Sequence, residues 1–305
     1  MNFLALFLGL GVERLLTQLF HLREFRWLDP LFDWGFSKLS RTNKWIATAG
    51  VIAVALITII PVLIAAYVLE GTLRDIPYFL FAVLVLLFSL GPRDLLNEGN
   101  EFCGALNSDD VEKAKAIARD VVETGDDSAV LVRMDEAVYQ QANNRIYSVV
   151  FWFVVLGPVG AWMFRCVDLM RHRASYELNR LSHETTQKIT AEPIGAAEKT
   201  IFYLHSLLAW VPSRLLVLGY VLAGNFDTAI AGIKAYYASG EVNHLSTDVL
   251  KWAGRGASGY AKSEPDESVE ISGKRAAAAI TLVRRTLWLI WCPALALLTL
   301  SDSLL

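Results

Sequence analysis

Cysteine is scarce. Cys103, Cys166 and Cys292 are odd in number and far apart, which excludes a disulfide framework and a cysteine-based zinc pattern. The five histidines (His21, His172, His183, His205, His244) form no HxxxH or HxH pair, so the sequence predicts no metal site. No Gly-rich phosphate loop is present either. The one glycine-rich stretch, Gly254–Tyr260, lacks a strand–loop–helix context and reads as a flexible loop. Positive charge is not in excess: 28 Lys and Arg face 31 Asp and Glu, a net charge of −3. Nucleic acid is therefore not an expected partner. The N-terminus has no basic n-region and no small-residue cleavage site after Leu10, so it does not read as a secretory signal.

What is abundant is apolar sequence. Of 305 residues 54% are apolar, and mean hydropathy is +0.39. The apolar residues are gathered in blocks, which points to membrane helices rather than one large core. The predicted fold is all-α, a polytopic membrane protein with three full spans, re-entrant or broken helices, and cytoplasmic helical segments. Residues 1–45, with basic residues and Trp27, Trp34 and Trp45, read as an interfacial N-terminal segment. Residues 46–96 read as a transmembrane hairpin, since Ile46–Leu69 is free of charge and only Glu70–Asp75 separates it from the next apolar run. Residues 97–145 read as a cytoplasmic helical segment. In it Ser108-Asp109-Asp110 opens a helix whose stripe is Val111, Ala114, Ala118 and Val121. Residues 146–223 contain the apolar blocks Val149–Phe164, broken at Gly157-Pro158, and Ile201–Ala223, which holds His205, Pro212 and Arg214. Residues 224–285 read as a cytoplasmic loop region, and 286–305 as a C-terminal span preceded by Arg284-Arg285. If 149–164 and 201–223 both re-enter, every basic loop stays on the cytoplasmic side and the spans are 46–69, about 75–96 and about 284–300.

The stretch with most polar chemistry at an apolar boundary is Met134–Arg173. At helical spacing Glu136, Gln140, Asn143, Asn144 and Tyr147 share one face. Two readings fit: a ligand site, or a helix–helix contact sealed by amide hydrogen bonds. Arg214 within an apolar block also fits two: a functional cation, or a structural one at the Pro212 backbone.

The run EAVYQQANNRIYSVVFWFVVLGPVGAWMFR, with LGPRDL before it and AWVPSRL after it, resembles AmpE, a bacterial inner-membrane regulatory family tied to induction of chromosomal β-lactamase. AmpE is in turn similar to the CbiB/CobD family, membrane enzymes that form adenosylcobinamide phosphate by ATP-dependent amide synthesis. That resemblance lays the enzyme's ETVAENTSDG-like run on Glu136–Arg145: Glu136 is kept, while Gln140, Gln141 and Asn144 replace an acid, an Asn and an Asp. Its PLFW…GGAPGA run falls on Val149–Ala161, keeping Phe151, Trp152, Gly157, Gly160 and Ala161. Its NTLDS run falls on Asp168–His172, with Arg171 in place of the Asp. Its DDVLNWIPARL run falls on His205–Leu215, keeping Trp210, Pro212, Arg214 and Leu215 but replacing the Asp pair by His205-Ser206. Scaffold positions survive and most carboxylates do not.

Mg²⁺-dependent amide formation needs carboxylate oxygens beside the phosphates, so the losses argue against a metal–nucleotide site, against cofactors and against catalytic residues. The expected ligand-binding set is Glu136, Gln140, Gln141, Asn144, Asp168, Arg171, His205 and Arg214, suited to a small anionic, amide-rich ligand. The expected function is that of a multi-pass inner-membrane sensor or regulator linked to β-lactamase induction and cell-wall recycling. The alternatives are a synthase-type enzyme with altered chemistry that retains Glu136 as its acid–base group, and a membrane anchor for a cytosolic partner protein. Besides the ligand, the expected partner is the lipid bilayer. Glu136, Arg171 and Arg214 are expected to converge in one cavity.

Overall fold

The structure, a computed structural model, describes residues 28–39, 44–71, 76–90, 94–122, 130–184, 195–239, 247–260 and 269–293. Among these residues it is all α, as the sequence predicts, and it divides into two compact units.

The first unit holds helices α1 (Asp29–Leu39), α2 (Lys44–Leu69) and α3 (Ile76–Ser89). It also holds α7 (Ser148–Glu184) and the first part of α8 (Ala196–Ala223). Helix α2 sorts its residues by size. Ala47, Val51, Val54 and Ala55 are buried, whereas Ile52, Leu56, Ile57, Ile60, Leu63 and Ile64 are exposed. Only 28% of its apolar window is buried in the protein, so its bulky face needs an apolar solvent. Inward, α2 packs on Trp162, Cys166 and Met170 of α7 and on Ile201 of α8. Trp162 Nε1 donates to the Thr58 carbonyl at 2.9 Å.

Helix α7 breaks where the sequence predicts. Gly157 has φ 65° and ψ −155°, a conformation open only to glycine, and Pro158 follows. Beyond the break, Gly160 lies so close to the Trp152 carbonyl that a Cβ would sit 2.2 Å from it.

The second unit holds α4 (Leu95–Asn107), α5 (Val111–Val122), α6 (Met134–Ala142), the rest of α8, α9 (Phe226–Ala238), α10 (Val249–Ala257) and α11 (Val269–Thr286). Two π-helical turns, Asn143–Tyr147 and Leu287–Trp291, follow α6 and α11. Side chains cap the helices: Asp94 accepts from the Leu96 N–H at 3.0 Å, Asp110 from Lys113 at 3.1 Å, and Asn225 from Thr228 at 3.2 Å. Ala114, Ala118 and Val121 of α5 are buried as the stripe requires.

Among the described residues three helices are long and apolar enough to cross a membrane: Lys44–Leu69, the run Met134–Tyr176, and Ala196–Ala223. The protein is a membrane protein; the expected span 46–69 is among these helices, and the blocks 149–164 and 201–223, expected to re-enter, lie in the other two. Block 201–223 does not fold as half-helices. It is part of one 28-residue helix through Pro212, about 42 Å long at 1.5 Å per residue. Helix α3 has only 14 residues. The expected C-terminal span and the interfacial segment before residue 28 lie largely outside the described residues.

The flexible-loop reading of Gly254–Tyr260 is corrected. Residues 254–257 complete α10, and their glycines are packing surfaces. A Cβ on Gly254 would come 2.6 Å from the Tyr139 ring, and one on Gly256 2.4 Å from the Thr228 carbonyl. Small residues let helices approach this closely.

Candidate functional site

In the first unit three of the expected residues meet. Arg165, Asp168 and Arg171 are spaced by three on α7, so one helix face carries cation, anion, cation. Arg165 Nη1 lies 3.0 Å from Asp168 Oδ2. Arg171 places Nη2 3.2 Å and Nε 3.3 Å from Oδ1. His205, arriving on α8, puts Nε2 3.3 Å from the same oxygen, its ring packed beside Phe164 with centroids 5.6 Å apart. Arg165, Asp168 and His205 are each 5% exposed. A carboxylate so deep in an apolar helix is tolerated only with partners such as these. Arg165 escaped the sequence reading, although a basic residue three positions before an acid on one helix is itself a signal.

The other expected residues lie in the second unit, and there the polar stripe splits. Glu136 Oε1 lies 2.8 Å from Arg255 Nη1, and Oε2 lies 3.6 Å from Arg133 Nε. Gln140 Nε2 donates to Asp248 at 3.3 Å. These two do share a face, toward α10. Gln141 faces elsewhere, donating to the Val121 carbonyl at 3.3 Å and accepting from Arg145 Nε at 3.1 Å. Arg145 in turn holds Glu98 at 2.7 Å. Asn144 accepts from Asn143 at 3.5 Å, and Tyr147 donates to the Val283 carbonyl at 3.0 Å. Gln141, next to Gln140 in the same α-helix, points about 100° away from it, and from Asn143 on the π-turn at Asn143–Tyr147 changes the register. That wider turn rotates every residue beyond it relative to an α register, so the predicted five-residue face does not continue through it. Arg214 stacks over Trp210 of its own helix, 5.8 Å from the ring centroid. Glu136 and Arg214 belong to one unit and Arg171 to the other.

Next to Glu136, Asp135 is gripped at both oxygens by Arg255, at 2.7 and 3.0 Å, and approached by Arg275 at 3.4 Å. Sequence reasoning missed this, since the partners stand 120 and 140 residues away. Each of the buried acids Glu98, Asp135 and Asp168 therefore faces at least one guanidinium. A divalent cation requires carboxylate oxygens turned toward it. Among the described residues no three His, Cys, Asp or Glu side chains gather in that way, and Asp168 is already enclosed. The described residues around Asp168 turn no free carboxylate toward a Mg²⁺–nucleotide.

Fold and site define a class: a helical membrane protein whose buried acids are held by arginines. The sequence places it in a family. The chain matches the CobD/CbiB protein family over residues 6–249, and it belongs to that family. It is similar to the cobalamin biosynthesis protein CobD of Chromobacterium violaceum, with 25% identity over 181 residues, 58% of this chain and 53% of that relative. The alignment thus spans about half of that relative's length. No solved structure matches the chain.

Proposed function

We propose that this protein keeps the scaffold of its family but binds a small anionic ligand without turning it over, as a multi-pass inner-membrane regulator of the kind the resemblance to AmpE implies. Its output would be induction of β-lactamase in response to cell-wall recycling. The observation that carries the reading is the cluster at Asp168. Positions 171 and 205, where the resemblance puts acids, hold Arg and His, and both side chains turn onto one remaining carboxylate. An acid cluster suited to a metal has become a cationic one, whose guanidinium forks suit carboxylate or phosphate oxygens. Glu136, Gln140, Gln141, Asn144 and Arg214, which lie in the second unit, offer donors and acceptors for amide groups, as the resemblance implies.

The second reading is an enzyme of the synthase type with altered chemistry. The comparisons favour it over the regulatory one, because the family match and the name of the relative both point to cobalamin biosynthesis. Against it stands the engagement of Glu136, its candidate acid–base group, by Arg255.

One experiment separates the two. The gene is expressed in a cobalamin auxotroph lacking the synthase, and β-lactamase induction is followed in a host deleted for the chain. Failure to restore growth, together with altered induction that Arg171→Asp does not rescue, is the expected result. Restored growth would overturn the regulatory reading in favour of the enzyme.

A further inference from the structure

Near the end of the described chain, α11 leads into the second π-turn and changes character within one turn. Arg284 and Arg285 are exposed. Trp288 and Leu289, each four residues further on, are 56% and 61% exposed. Four residues make about one turn in the α-helix and in the π-turn alike, so each guanidinium stands one turn before a bare apolar side chain. Neither arginine has an ion-pair or hydrogen-bond partner among the described residues. This differs from Arg165, Arg171, Arg255 and Arg275, all of which face buried acids.

The adjoining helix says what solvent covers this face. Gly219 of α8 lies against α11, where a Cβ would come 2.6 Å from Thr286 Cγ2. The neighbouring α8 residues Leu218 and Leu222 are 58% and 65% exposed, and α8 is one of the helices able to cross a membrane. An order of unpaired guanidiniums, then an indole, then bare leucine is the order of a bilayer boundary read from headgroup to acyl chain. Arginine cannot discharge by losing its proton, so at a headgroup boundary it is suited to an oxyanion.

We infer that Arg284 and Arg285, with Trp288 beside them, form a binding site for the phosphodiester headgroup of an anionic phospholipid. Two exposed guanidiniums on consecutive residues favour a lipid with net negative charge over a zwitterionic one, in which the choline cation offsets the phosphate. Trp288 fixes the depth at which the headgroup meets them.

The test uses the full chain in detergent, titrated with phosphatidylglycerol or phosphatidylcholine while thermal unfolding is recorded. Phosphatidylglycerol should raise the melting temperature at about tenfold lower concentration than phosphatidylcholine. In R284Q/R285Q that preference should vanish. Lys113→Gln with Lys115→Gln, which removes the same charge from α5, should keep it. Three results would each overturn the site: no preference in the wild type, an unchanged preference in R284Q/R285Q, or its loss in the α5 variant. Equal stabilisation by inorganic phosphate would also overturn it, by pointing to a soluble anion instead of a lipid.

Discussion

Arg171 reaches back one turn along its own helix to Asp168, with Nη2 3.2 Å and Nε 3.3 Å from the same carboxylate oxygen. This contact closes the acid from one side while Arg165 closes it from the other. The three residues form a unit whose parts are not equivalent. Asp168 is the sole acid, so Asp168→Asn leaves two deeply placed guanidiniums facing a neutral amide. Breaking a buried pair from one side costs about 3–5 kcal/mol. Arg171→Ala leaves Arg165 and His205 on the carboxylate and should cost less, about 1–3 kcal/mol. Denaturant or thermal unfolding in a fixed detergent should rank Asp168→Asn below Arg171→Ala, and the reverse order would mean that Arg165 does not hold the carboxylate.

How far the sequence foretold this can be argued residue by residue. The break at Gly157 was legible because Gly-Pro in an apolar run has few other uses. The start of α5 was legible because Asp110 and the Ala114, Ala118, Val121 stripe are local signals. The meeting of Asp168, Arg171 and His205 was foreshadowed by the family resemblance rather than by spacing. The clamp on Asp135 was not legible, since nothing near Asp135 announces Arg255 or Arg275. The π-turn at Asn143–Tyr147 was invisible, because a widened turn has no residue signature and is set by what the helix packs against. Gly254 was misread for a related reason. Glycine signals flexibility in an open loop and contact beneath an aromatic ring, and only the fold says which applies.

The Asp135 clamp distinguishes charge from shape. Arg255 uses Nε and Nη2 on the two oxygens of Asp135 and Nη1 on Glu136. Arg255→Lys keeps the charge but supplies one ammonium in place of a fork. It should recover only a minor part of the stability that Arg255→Ala loses. Asp135→Asn, which strands Arg255 and Arg275 beside an amide, should cost about 3–5 kcal/mol. Lysine matching the wild type in unfolding would show that the second unit uses this site for charge alone.

Gly254 tests whether α10 seats by contact. Alanine is the better helix former by about 1 kcal/mol, so an exposed glycine in α10 would be improved by the change. Here the added methyl would stand 2.6 Å from Tyr139 ring carbons, and Tyr139 is held by its hydroxyl at 2.8 Å from Ser258 Oγ. Overpacking of this kind costs about 1–3 kcal/mol. Gly254→Ala should therefore lower the melting temperature. Gly259→Ala should also lower it, but through its φ of 84°, since nothing lies within 4 Å of its added methyl. Combining Gly254→Ala with Tyr139→Leu should relieve the first loss in part and leave the second untouched.

The two π-turns of the second unit are tied by Tyr147. Its hydroxyl donates to the Val283 carbonyl at 3.0 Å, and its ring rests against Trp291 with centroids 5.3 Å apart. Val283 stands four residues before Leu287, where α11 gives way to the wider turn, so the phenol reaches the helix at its changeover. Tyr147→Phe keeps the ring contact and removes only the hydroxyl. A buried carbonyl left with one partner fewer costs about 1–2 kcal/mol, and the loss should be local. Amide hydrogen exchange is the suitable measurement, because it separates the opening of one turn from global unfolding. In the variant the amides of residues 284–291 should exchange faster than in the wild type, while those of α5 keep their rates once corrected for the change in global stability. Uniform acceleration across the second unit would mean that the hydroxyl supports the whole core. Unchanged rates at 284–291 would mean that the π-turn is held by the packing of Thr286 and Trp291 against Gly219 and owes nothing to Tyr147.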